Sequence, residues 1–185
     1  MPAIPELEEP LSDGHARVRL AAERDIPEVL IAHQDDPGFA QLIGLERPPT
    51  GAELGRAMER AAADRARGTA VTFTILEPGS DDCRGQIHAD RFDWEHAHAD
   101  LAVWVAPDAR GRGLGRRALA LAAAWLLGAA GLERVQLLVP PGNERAVSAA
   151  LAAGFASEGI LREHMRVRGT RIDVTVLSRI AADEA

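Results

Sequence analysis

The strongest constraint on this chain lies between Ala99 and Arg117. The run Leu101 to Val105 has the apolar, β-branched character of a buried strand, and it ends at Pro107. After Asp108-Ala109, Arg110-Gly111-Arg112-Gly113-Leu114-Gly115 leads into a long apolar segment at helical spacing. A Gly-rich turn at a helix start presents several unpaired N–H groups at the positive end of the helix dipole, a site for phosphate oxygens. Glycines there let the backbone approach an anion with no Cβ in the way. The dinucleotide pattern GxGxxG needs a third glycine at position 116, where this chain has Arg116. A P-loop needs a lysine after its last glycine, and the sequence contains no lysine. The pattern that fits is Arg/Gln-x-x-Gly-x-Gly/Ala, filled by Arg110, Gly113 and Gly115.

A second signature follows. Pro141-Gly142-Asn143 opens a helical stretch that closes at Gly154-Phe155, with Glu158-Gly159-Ile160-Leu161-Arg162 just beyond and Asp173 further on. Together the two motifs resemble the GNAT superfamily of acyl-CoA N-acyltransferases. The order Asn, Gly-Phe, Glu-Gly-x-Leu-Arg and late Asp resembles its ribosomal-protein N-terminal acetyltransferase (RimJ/RimL-like) branch. The resemblance covers residues 84–180 most strongly.

The remaining chain reads as one domain of 185 residues, long enough for a substantial core. Its net charge of −7 is concentrated at the ends, in Glu6, Glu8, Glu9 and Asp13 and in Asp183 and Glu184. With Pro2, Pro5 and Pro10, the first stretch reads as a disordered or loosely attached acidic tail over 1–13, ahead of a single domain over 14–182. Dispersed arginines without an aromatic platform argue against nucleic acid, and no uninterrupted apolar stretch reaches membrane-spanning length. No basic–apolar leader opens the chain, so a cytoplasmic protein is expected. Cys83 is the single cysteine and lies among acidic neighbours that oppose thiolate formation, which makes it structural.

Periodicity predicts a strand over 16–20, a short helix from Asp25 to about His33, and a proline-bearing loop over 34–49. Thr50 and Glu53 form a capping box for a helix reaching about Arg67. Strands are expected over 70–77, 85–94, 101–105, 136–139, 156–166 and 171–179, with helices over 113–130 and 143–153. The family resemblance turns this α/β (α+β) series into a mixed central sheet of about seven strands with about four flanking helices.

What the resemblance implies for chemistry is specific. The strands 101–105 and 136–139 would start side by side and splay apart, with the donor's pantetheine arm pairing with backbone freed around Val103, Trp104 and Val105. The pyrophosphate would rest on Gly111, Arg112, Gly113, Leu114 and Gly115, with Arg110, Arg112 and Arg116 supplying charge. Asn143 would touch the pantetheine or cap its helix. A neutral amine would attack the thioester directly, and a base helps because most amine arrives protonated, with a pKa of ~8 to ~10.4. Asp100 is the expected base, sharing strand parity with Ala102 and Trp104. Asp93 and Trp94 are expected at the acceptor site, and Asp93 and Glu95 are fallback bases.

Two departures from the family pattern stand out. Where relatives carry hydroxyls after the helix-opening Asn, this chain has Ala146 and Ala150, and it contains no tyrosine. Ser148 is turned about 160–200° from both positions on a helix, and so is expected off the donor side. His88, His96 and His98 near Asp90 and Asp93 are not read as a metal site. The function expected is acetyl transfer from acetyl-CoA, with no metal, to a primary amine on a protein N-terminus or a small molecule. The alternatives are an acyl-CoA-binding protein with altered catalysis, or transfer of a longer acyl chain. A homodimer is left open.

Overall fold

The structure, a computed structural model, describes residues 2–36, 47–167 and 169–184. Most of the loop expected over 34–49 lies outside the described residues. Eight strands form one mixed sheet in the order β1-β2-β3-β4-β5-β6-β8-β7. They are β1 (Leu11–Ser12), β2 (Arg17–Leu20), β3 (Val71–Leu76), β4 (Gly85–Asp93), β5 (His98–Val105), β6 (Arg134–Val139), β7 (Ala156–Val167) and β8 (Thr170–Ile180). Neighbours pair antiparallel except β5 and β6, which run parallel. Four α-helices accompany them among the described residues: α1 (Ile26–Asp35), α2 (Gly51–Ala66), α3 (Leu114–Gly128) and α4 (Glu144–Ala152).

Strand alternation sorts the sheet into two faces. Val18, Phe73, Ile75, Ile87, Ala89 and Leu101 point to one face and join Ala118, Leu119, Ala122 and Leu126 of α3 in the main core. Phe73 meets Trp125 edge-on, with ring centroids 5.5 Å apart. Ala150 of α4 joins the same core. On the other face, Asp25 at the head of α1 accepts from Thr74 Oγ1 at 2.6 Å and pairs with Arg19 at 2.6 Å. Arg19, on the face opposite Val18, is buried with this bidentate contact. α1 and α2 pack together over this second face. The capping box of Thr50 and Glu53 is present at the start of α2, as its sequence requires.

The acidic N-terminal stretch departs from expectation. Ile4 is buried and bonds its backbone N–H to Arg65 O at 3.0 Å, while Leu7 and Leu11 pack against the core. Leu11 and Ser12 extend the sheet beside β2. Asp13 caps the following turn and pairs with Arg117 at 2.8 Å. The loose tail is thus replaced by a docked strap across 2–13. Three apolar residues spaced through the acidic run gain burial, and arginines of α2 and α3 meet its charges.

Candidate functional site

β5 and β6 are zipped only as far as Leu101↔Leu137. Beyond that pair β6 stays on β8 to Val139↔Thr175, and β5 stays on β4 to Gly85↔Val105, so the two strands part. Ala106 N–H bonds Arg84 O toward β4, whereas Ala97 O accepts from Glu133 and Arg134 toward β6. Backbone groups alternate sides along a strand, so Val103 and Val105 turn their N–H and C=O into the gap. The gap opens into a groove of about 1050 Å³ lined by Val103–Val105, the turn 109–116 and the start of α4.

The Gly-rich turn forms the groove's far wall. Gly113 is the N-cap of α3 at φ +78° and supplies no side-chain cap, leaving the first N–H groups of the helix to the groove. Gly115 abuts the parted strand so closely that a Cβ there would lie 2.9 Å from Val105 Cγ2. Leu114 contributes backbone alone, because its side chain is buried in the core. Of the three arginines expected around the turn, Arg110 donates Nε–H to Val105 O at 2.8 Å and pairs with Asp36 after α1 at 2.8 Å. Arg112 pairs with Glu77 at 3.0 Å. Arg116 folds back over Gly113.

α4 closes the groove with Arg145, Ser148, Ala149 and Ala152, a stripe at i, i+3, i+4 and i+7. This corrects the expected facing of Ser148. Its angle to Ala150 is as foreseen, but Ala150 is the residue in the core and Ser148 is on the groove. The stripe's small side chains gave no hydrophobic signal to read. Asn143 Oδ1 accepts from Ala146 N–H at 3.2 Å, the capping role, and the residue also lines the groove.

The second face of the sheet, where β5 begins to part from β6, is polar. Asp100 Oδ1 accepts from Gln136 Nε2 at 2.7 Å, and Oδ2 pairs with Arg91 at 3.2 Å. The chain of contacts continues from Gln136 to Arg134 and from Arg134 to Glu158, which also accepts from Ser178 Oγ at 2.6 Å. Arg134 and Ser178 hold the Glu158 carboxyl at a pKa of about 2. Both oxygens of Asp100, the expected base, are thus engaged, by Gln136 and by Arg91.

The structure does not bring Asp93 and Trp94 to the groove. They sit at the β4–β5 turn, one β5 length from Val105, or about 23 Å at strand rise. Trp94 donates Nε1–H to Gly68 O at 2.8 Å and stacks on Phe92, while Asp93 caps the turn through Glu95 and His96 N–H. His96 Nδ1 also meets Asp93, and among the described residues no three His, Cys, Asp or Glu side chains are placed to hold a metal. Cys83 is buried, and burial pushes its thiol pKa up to about 12. No helix of the described residues is long and apolar enough to cross a membrane.

Comparison with known proteins agrees with this geometry. The chain matches the acetyltransferase (GNAT) domain model over residues 16–156. It is 23% identical over 164 residues to the uncharacterized N-acetyltransferase p20 of Bacillus licheniformis, covering 88% of this chain and 92% of that protein. Its fold is similar to that of the ribosomal-protein-S5-alanine acetyltransferase of Vibrio fischeri, with TM-score 0.82, 18% identity, 95% of this chain and 98% of that chain. It is also similar to that of Mycobacterium smegmatis RimJ in complex with CoA-disulfide, with TM-score 0.81, 21% identity, 95% of this chain and 87% of that one. A family match across most of the chain, together with the parted strand pair and the glycine turn beside it, shows that the protein belongs to the GNAT acetyltransferase family.

Proposed function

We propose that the protein transfers the acetyl group of acetyl-CoA to a primary amine by direct attack within a ternary complex. The observation that carries this is the parting of β5 from β6 at Leu101↔Leu137 beside the uncapped N-terminus of α3. Backbone freed at Val103 and Val105 suits strand-like pairing with the amide-bearing pantetheine arm. The N–H groups after Gly113 and the guanidinium groups of Arg110, Arg112 and Arg116 suit the pyrophosphate. A backbone N–H facing the gap suits a developing thioester oxyanion. Holding both reactants in one groove supplies most of the acceleration such a reaction needs.

The acceptor approaches from the second face, which carries Asp64, Asp90 and Asp100, a setting that favours a cationic ammonium before it loses its proton. Solved structures of this fold include ribosomal-protein α-amine acetyltransferases, which supports a protein N-terminus as acceptor, with small amines as the other class. An acetyl-CoA donor implies a cytoplasmic setting.

A second reading, donor binding without turnover, is favoured by one observation: Ser148 is the sole hydroxyl on the α4 wall, and Ala150 lies in the core. One experiment separates the two. Calorimetric titration with acetyl-CoA is paired with thiol-release assays against peptides bearing free Ala or Ser N-termini and against alkyl diamines. Binding with thiol release supports transfer, and binding without it supports the second reading.

A further inference from the structure

We propose that His88 is the proton acceptor for the attacking amine. This rests on the acetyl-transfer reading and assigns a residue that the motifs leave out. His88 is paired directly across from Ala102, the first β5 residue beyond the last β5–β6 pair. Its flanking residues Ile87 and Ala89 are buried against α3, so the imidazole stands on the second face with Asp100 and Ala102. The ring stands one strand from the gap on that face, with Ala102 between.

The ring is held from β3. Nδ1 meets Thr72 Oγ1 on β3 at 2.8 Å, which fixes the imidazole plane and leaves Nε2 as the free nitrogen. Asp90 on the same strand faces Nε2 at 3.8 Å, beyond hydrogen-bond reach. The charged groups around the ring are Asp90, Asp64 on α2, and the Asp100–Arg91 pair further along β5 and β4. Although 47% of the side chain is exposed, desolvation outweighs Asp90 and Asp64 and holds the imidazole below its ordinary pKa. It is therefore neutral at pH 7 and able to take a proton. Asp100, the other polar side chain on this stretch of β5, already has both oxygens bound.

The step balances as follows. The lone pair of a neutral amine forms the C–N bond at the thioester carbonyl, and the amine N–H proton, made acidic by that bond, moves to His88 Nε2. The C–S bond then breaks with its electron pair on sulfur. The thiolate leaves and is protonated from solvent, and His88 returns its proton to water.

His88→Gln tests this, since a glutamine amide can still bond Thr72 but cannot carry the proton. With the amine giving the highest wild-type rate, kcat should fall ~100-fold across pH while acetyl-CoA affinity by calorimetry stays unchanged. Added imidazole should restore part of the turnover of His88→Ala, a rescue that a merely structural cross-strand pair would not allow. Thr72→Val should shift the acid limb of the kcat/KM profile. A folded His88→Gln protein within about threefold of wild-type kcat, or His88→Ala unresponsive to imidazole, overturns the assignment and leaves the transferase reading standing. A wild-type chain releasing no thiol with any amine defeats both.

Discussion

The two halves of β5 obey opposite rules. From His98 to Leu101 the strand is bonded on both sides, to β4 and to β6, with Ala99 and Leu101 in the core and Asp100 tied into a network with Gln136, Arg134 and Glu158. From Ala102 to Val105 it keeps β4 but loses β6. The first half supplies rigidity and the second supplies unfilled hydrogen-bonding capacity. An unpaired buried backbone group is costly, so the open half demands a partner. In the structure Val105 O borrows Arg110 Nε–H, a contact a donor would have to replace. The lesson is that the groove arises from a missing strand neighbour, held open by a complete one just upstream.

The sharpest break of this contrast lies in the open half. Gly113→Val places a β-branched residue at φ +78°, with its Cβ 3.0 Å from Arg116 Nε. Acetyl-CoA affinity should fall at least ~100-fold, or ~2.7 kcal/mol, in a protein whose circular dichroism is unchanged. Calorimetry showing wild-type affinity would dissociate the turn from donor binding.

In the zipped half, Asp100→Ala removes the acceptor shared by Gln136 and Arg91. Leaving Gln136 unsatisfied should cost ~1–3 kcal/mol of stability in denaturant unfolding. Donor affinity should hold, because Asp100 lies before the parting. A loss of donor affinity without a loss of stability would reverse the division of labour between the halves.

Asp36→Asn sharpens the same contrast more gently. Releasing Arg110 from its ion pair frees its guanidinium for phosphate. Acetyl-CoA should bind about threefold tighter, within the ~1 kcal/mol that a partly exposed pair contributes. Weaker binding would mean that the pair preorganises Arg110.

The smallest effect concerns acid. The folded-state pKa of Glu158 is depressed to about 2 by Arg134 and Ser178. Its contribution is therefore complete above the ordinary glutamate pKa of ~4.3 and is lost as pH falls toward 2. Because the side chain is 42% exposed, that contribution stays below ~1 kcal/mol. Thermal melts of Glu158→Gln from pH 6 to pH 2 should show a shallower acid decline than wild type by that margin, and an identical slope would remove Glu158 from the network.

The sequence by itself determined the element order, because hydrophobic period, the Thr50–Glu53 box and the glycine punctuation are local signals. It also determined the Gly-rich turn that opens α3, where Gly113 takes φ +78°. Only the tertiary structure decided which face of α4 meets the groove: alanines at 146, 149, 150 and 152 carry no pattern that separates core from wall. It likewise decided that the acidic strap docks, that Asp93 and Trp94 stay a strand's length from the groove, and that Asp100 is already bound. It also paired His88 across from Ala102, the first β5 residue past the parting. These are long-range facts of register and packing. Strand pairing shifted by one residue would turn Asp100 and His88 to the other face, and nothing local in the chain records that choice.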